Sequence, residues 1–359
     1  MPAIYAGFFF GVIMNISEAY ESIILSLNAN LPIFLQGSPG LGKSAIVKEV
    51  AENNKLELID LRLSQCDITD LNGLPKFEDG KAQFVPFDIF PLENTAIPKG
   101  KNGWLLFLDE LNAASPAVQV ASYKLILDRM VGSQRLNKKV FIVCAGNRIT
   151  DNAVVNDLST ALKSRLITIN IEPNFDSWLA WAGKNDIDSR IISFLLHKPT
   201  MLFNFDPNKE EDTFACPRTW EMCSKIIKSI KDLNKYNELL KGIVGNVAGE
   251  EFIVFTKYHH LLPNITDIFN GTAIPKKDED IGVIYQTLGE VIANISKITM
   301  DSQFVNVCEY LKAFSSDYLV IFMQKIRLID STISLKFPSF IKYAGKVVRE
   351  DNAYDPNSR

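Results

Sequence analysis

Residues 37–44 read Gly37-Ser38-Pro39-Gly40-Leu41-Gly42-Lys43-Ser44, the G-x-x-x-x-G-K-[ST] pattern of a phosphate-binding loop. Three glycines let the backbone curl tightly, so successive N–H groups point into one concavity that suits phosphate oxygens. Lys43 would reach the β- and γ-phosphates as a point charge, and the Ser44 hydroxyl would ligate Mg²⁺. Upstream, Pro32-Ile33-Phe34-Leu35 is a short apolar run, as expected of a buried strand feeding the loop. Downstream, residues 44–53 place Ile46, Val47 and Val50 on one helical face. Bound phosphates would rest on that helix N-terminus and its dipole. A glycine-rich turn that fits the pattern by chance has no such setting, and the stretch marks a nucleotide-binding protein.

Further out, residues 15–29 read as a helix with Ile16, Ala19, Ile23, Ile24 and Leu27 on its apolar face. Asn15-Ile16-Ser17-Glu18 looks like a capping box opening it. On that reading Met14 is the natural start and residues 1–13 are an upstream extension with little structural role, so the N-terminal extension is set at residues 1–14. Leu56–Leu63 alternates like a strand, and residues 64–100 are irregular, punctuated by Gly73, Pro75, Gly80, Pro86, Pro91 and Pro98. Within them residues 80–85 read as one arm of a small hairpin. A loop of that length inside a domain is usually functional. Residues 116–130 read as a helix, 140–145 as a second buried strand, 159–164 as a short helix and 166–171 as a last strand. From Pro173 onward the pattern is helical, with a polar connector after about residue 255 and a polar, frayed stretch over residues 350–359.

The run Trp104-Leu105-Leu106-Phe107-Leu108 ends in Asp109-Glu110. A buried parallel strand closing on two carboxylates at its C-terminal edge, downstream of a phosphate loop, completes an ATP-hydrolysis site. Asp109 would hold the Mg²⁺ shell, mostly through water, and Glu110 would orient or polarise the attacking water. The competing reading, a solvated acidic turn, loses ground once the loop is present. Asn147, after the next strand, is positioned to hydrogen-bond the γ-phosphate or the water, although asparagine also favours such turns for its own sake.

The chain has 359 residues, 47% of them hydrophobic, enough for two or three domains. Its net charge is −4 and no Lys/Arg block stands out, so non-specific nucleic-acid binding is not indicated. Five scattered cysteines without a C-x-x-C pair suit reduced thiols in a cytoplasmic setting. Three histidines, two of them adjacent (His259, His260), argue against a zinc site. Residues 7–14, GFFFGVIM, are far shorter than the roughly 20 residues of a membrane span, and lack the basic flank and cleavage site of a signal peptide.

Taken in order, GSPGLGKS, LFLDELNAA (106–114), IVCAGNR (142–148), LSTALKSRL (158–166) and CPRTWE (216–221) resemble the motif series of an AAA+ ATPase of the MoxR-like family. The resemblance covers roughly residues 15–250. It implies an α/β fold: an AAA+ P-loop core over residues 15–172, a parallel sheet flanked by helices with an insert at about 67–98. An all-helical lid over 173–255 and a C-terminal helical extension over 256–359 would follow. Carried over residue by residue, Asn147 matches sensor 1, Arg165 the arginine finger acting on a neighbouring subunit, and Arg218 the sensor 2 arginine of the lid. A hairpin before sensor 1 would fall at about residues 131–139 and is short.

The implied activity is Mg-dependent hydrolysis of ATP in a homo-oligomeric, hexameric ring that remodels or matures a protein client, with a von Willebrand factor A protein as partner. The insert would touch the client. The alternative is a nucleic-acid-associated AAA+ motor of restriction or replication type. GTP specificity is not supported, because the stretch CAGNRITDNA lacks the pattern of the GTP-binding members. A scaffold that binds ATP without hydrolysing it is opposed by the intact Lys43, Asp109, Glu110 and Asn147.

Overall fold

Capping opens the first helix. The Asn15 side chain accepts from the N–H groups of Ser17 and Glu18, and the Glu18 carboxylate accepts from the Asn15 N–H at 2.8 Å. The computed structural model describes residues 12–78, 80–151, 155–209, 211–230, 232–276 and 278–351. Residues 7–11 of the apolar N-terminal stretch and 352–359 of the polar tail lie outside them. The chain divides into two units, Met1–Pro173 with Asp206–Lys209, and Asn174–Phe205 with Glu210–Arg359.

The first unit runs β1 (Ile13–Met14), α1 (Ile16–Ala29), β2 (Ile33–Gly37), α2 (Lys43–Asn53), β3 (Leu56–Arg62), α3 (Ile68–Asn72), β4 (Leu74–Glu78), β5 (Lys81–Val85), β6 (Gly103–Asp109), α4 (Pro116–Tyr123), β7 (Met130–Val131), β8 (Gln134–Arg135), β9 (Val140–Gly146), α5 (Thr160–Lys163) and β10 (Ile167–Ile171). Six strands form one parallel sheet in the order β1-β10-β2-β9-β6-β3. Parallel strands need both faces covered, which explains the nearly unbroken apolar runs of β6 and β9. On one face Phe34, Leu106, Leu108, Ile142 and Cys144 join Leu111, Val118 and Leu125 in a buried core. This is the AAA+ P-loop fold.

Two local expectations change and a third is met. The N-terminal extension is not idle: Ile13 pairs with Asn170 and Met14 with Ile171, so its last residues form an edge strand of the sheet. The helix read over residues 116–130 keeps α-geometry only to Tyr123. It then widens into a π-turn over Lys124–Asp128 and stops at Arg129, which is left-handed at φ 55°. The hairpin arm expected at residues 80–85 is β5, and its partner arm is β4 within the same stretch.

The second unit holds helices and no strand among its described residues. Trp220 is fully buried, with Phe194 and Phe252 at ring-centroid distances of 5.6 and 5.5 Å. The same core takes in Leu288, Phe304 and Phe322. A Cβ on Gly289 would lie 2.1 Å from the Ser193 hydroxyl, so helices Ser189–His197 and Ile281–Ala293 meet almost backbone to backbone. The residues read as lid and those read as extension thus draw on one hydrophobic core.

Candidate nucleotide site

Sheet register collects the polar residues at one edge. Gln36 of β2 lies beside Gly146 of β9, and Arg62 of β3 beside Asp109 of β6. The chain therefore leaves β2, β3, β6 and β9 on the same side, where ligands bind in open parallel sheets. After β2 the loop turns through Gly40 and Gly42, at φ 79° and 91°, values that a side chain tolerates poorly. Gly37 is needed for a different reason: a Cβ there would sit 2.9 Å from the Ile171 carbonyl oxygen.

Lys43, at the start of α2, is 8% exposed. Its Nζ donates to the carbonyls of Gly37 at 2.5 Å and Ser38 at 2.9 Å, and to Asn147 Oδ1 at 3.1 Å. Beside it the Ser44 hydroxyl donates to Asp109 Oδ2 at 3.1 Å, and the other Asp109 oxygen accepts the Glu110 N–H at 2.9 Å. Lys43, Ser44, Asp109, Glu110 and Asn147 thus converge, with Gly37, Ser38, Pro39, Gly40, Leu41 and Gly42 forming the loop around the lysine. A hydroxyl and a carboxylate in contact are two hard oxygen donors, a set suited to Mg²⁺. Among the described residues no cluster of three or more His, Cys, Asp or Glu side chains could hold a metal ion.

Arg165 stands apart from this group within the first unit. Arg165 precedes β10, where the Ile167 N–H donates to the Pro32 carbonyl at the opposite edge of the sheet. There it is exposed and donates to the Ala161 carbonyl at 3.2 Å. Arg218 belongs to the second unit, exposed in the first turn of helix Pro217–Ile227.

Several neighbours were not singled out from sequence. Glu110 sits in left-handed backbone at φ 56°, its carboxylate accepting from the Ser64 hydroxyl and lying 3.6 Å from Arg62 Nε. Asn112 is buried, and its Nδ2 donates to the Asn147 carbonyl at 2.7 Å, which fixes the peptide that carries Asn147. Its Oδ1 has no partner among the described residues. Asp151 accepts from the Ser38 hydroxyl at 3.2 Å and from the Arg148 N–H; burial lifts its carboxyl above the ordinary range, and these hydrogen bonds oppose the shift. Arg148 in turn pairs with Glu172 at 2.8 Å. A sequence signal existed only for Asn112 and Asp151, polar residues just past apolar strand ends. For Arg62 and Ser64 the strand pattern gave none.

Residues 32–166 match the family profile of the AAA domain (dynein-related subfamily). A 97-residue stretch, 27% of the chain, is 34% identical to Midasin of Giardia intestinalis, and corresponds to 2% of that protein's length. Two solved structures resemble the chain more loosely. The replication initiator DnaA bound to AMPPCP and single-stranded DNA is 14% identical, with a TM-score of 0.37, over 93% of this chain and 96% of that one. A RuvB variant from Thermotoga maritima is 16% identical, with a TM-score of 0.38, over 80% and 86%. Likeness at that level carries no functional argument. Residues 32–166, most of the first unit, thus carry an AAA domain profile on a parallel sheet that follows a phosphate-binding loop. No helix among the described residues is long and apolar enough to cross a membrane.

Proposed function

We propose that the chain is a Mg²⁺-dependent ATPase of MoxR type, working as a homo-oligomeric, hexameric ring in the cytoplasm. In this reading it remodels or matures a protein client together with a von Willebrand factor A partner. The observation that supports hydrolysis best is the meeting of Lys43 with Asn147 and of Ser44 with Asp109 at the strand ends.

Lys43 would exchange its carbonyl partners for the β- and γ-phosphates, a charge already held in place before ATP arrives. Ser44 and Asp109 would hold Mg²⁺, which supplies neutralisation of the phosphate charge. Asn147, fixed through Asn112, would hold the γ-phosphate or the attacking water. Glu110 would orient that water once it turns from Ser64 and Arg62. Arg165 stands by the N-terminal end of β2, a five-residue strand, hence about 16 Å along the sheet from its own loop at about 3.3 Å per residue. That separation suits a residue serving the next subunit's ATP, where such arginines account for rate factors on the order of 10³ or more. Arg218 would report nucleotide to the helical unit. All five cysteines are free, as a reducing compartment requires.

The test is subunit mixing. Lys43→Ala should abolish ATP binding, and Arg165→Ala should silence turnover only in the assembled ring. Mixing Glu110→Gln with Arg165→Ala subunits should restore part of the activity, since some interfaces then pair an intact Glu110 with an intact Arg165. No rescue at any ratio would sink the shared-site reading. Stimulation by DNA but by no protein would move the reading to a nucleic-acid motor.

A further inference from the structure

The ribbon of β4 and β5 is exposed along its whole length. Its register pairs Pro75 with Phe84 and Phe77 with Ala82, while Lys76 pairs with Gln83 and Glu78 with Lys81. Directly paired residues share a face. One face is therefore Pro75, Phe77, Ala82 and Phe84, without a polar side chain, and Phe77 and Phe84 are 79% and 50% exposed. A lone two-stranded ribbon is marginal in water, but this one is held at its base. A Cβ on Gly73 would lie 2.2 Å from the Val85 carbonyl oxygen, and one on Gly132 would lie 3.1 Å from Phe84 Cβ.

At that base lies an open cavity of about 560 Å³ lined by Asp60, Arg62, Asp70, Phe87, Asp88 and Ile89, among others. Three carboxylates there face one guanidinium, which is already paired with Glu110. Burial first, and then the charge of Asp109, lift the Asp60 carboxyl above its ordinary range, and Arg62 opposes the shift. Phe87 and Ile89 add an exposed apolar rim. The cavity abuts β3, an edge strand of the sheet; an edge strand can also offer backbone groups to an extended chain.

We propose that ribbon and cavity together dock an extended segment of a partner protein in which apolar residues flank a lysine or arginine. The apolar side chains would cover Phe77 and Phe84, and the cation would enter among Asp60, Asp70 and Asp88. Exposed apolar surface gives the adhesion, and charge complementarity selects a basic segment over an acidic one. The inference deepens the protein-remodelling reading above by giving the chemistry of the segment bound. Its test needs no hydrolysis.

The probe is a fluorescein-labelled peptide of Leu-Arg-Val-Arg-Leu repeats, titrated with the full chain and read by anisotropy. Its counterpart carries Glu in place of Arg. Saturable binding of the basic peptide is expected, weakened about tenfold or more by Asp88→Lys and by the double variant Phe77→Ser, Phe84→Ser, and weakened by added salt. Equal affinity for the acidic counterpart, or undiminished binding by both variants, overturns the proposal. Self-association of the chain that the phenylalanine variant abolishes, with no peptide bound by the parent, assigns the face to a second copy and overturns it as well. Binding of a fluorescent ATP analogue is measured alongside. Its retention in the variants shows that the first unit is folded, and its absence in the parent chain would count against the ATPase reading while leaving the docking result to stand alone.

Discussion

Gly146→Ala is the smallest change that should disturb the site from behind. A Cβ at Gly146 would lie 2.2 Å from Asn112 Oδ1 and 2.9 Å from Phe34 Cζ. Neither neighbour has room to retreat: both are 2% exposed, and Asn112 is tied by its Nδ2 to the Asn147 carbonyl and by its own carbonyl to the Asn156 N–H. Forcing a methyl into a filled core costs about 1–3 kcal/mol. Asn112→Ala alone should cost about 1–2 kcal/mol, because the Asn147 carbonyl loses its donor while the orphaned Oδ1 disappears with the side chain. Combined, the truncation makes room for the new methyl, so the double variant should be less damaged than the sum by about 1 kcal/mol or more. Urea titration followed by hydrogen exchange in peptides covering β9 reads the stability, and phosphate release reads the effect on Asn147. A Gly146→Ala chain of unchanged stability, or strictly additive costs, would refute the reasoning.

Other outcomes follow from the same contacts. Ser64→Ala removes the hydroxyl that holds Glu110, so basal phosphate release should rise, by up to about tenfold, the rate equivalent of a charged hydrogen bond worth about 1.4 kcal/mol; a fall in turnover would mean that Ser64 assists Glu110 and does not restrain it. In the second unit His197 is packed against the Phe255 and Tyr285 rings, and burial lowers its pKa, followed by the charge of Lys198. Burial also lowers that of His259. The unfolded chain then takes up protons below about pH 6.5 before the folded chain does, so stability is lost as pH falls through that range. Melting at about pH 7.5 and about pH 5.5 should show the drop, and His197→Phe should shrink it; an unchanged difference in that variant would remove His197 from the account.

Much of the first unit was legible because its signals are local. GSPGLGKS needs glycines at fixed places, the runs before Asp109 and Asn147 are continuous because both faces of the sheet are covered, and Asn15 with Glu18 spells a cap within four residues. What was not legible depends on register and crossover. Only the pairing of Arg62 with Asp109 brings β3 beside Glu110, and alternation within Leu56–Leu63 carries no trace of that neighbour. The early end of the helix after Pro116 depends on a π-turn whose residues, Lys124–Asp128, continue an ordinary apolar pattern. In the second unit each helix announces an apolar face, but periodicity does not say which helices share a core. Phe194 and Leu288 belong to one, although a polar connector separates them in sequence.

The central claim is that this site hydrolyses ATP, and Glu110→Gln tests it most directly. The exchange keeps size and polarity and removes the charge that would orient water, while leaving Lys43, Ser44 and Asp109 in place. Steady-state phosphate release from the purified chain should fall by about a hundredfold or more while a fluorescent ATP analogue still binds with near-parental affinity. Phosphate release that persists at the parental rate in Glu110→Gln would contradict the account.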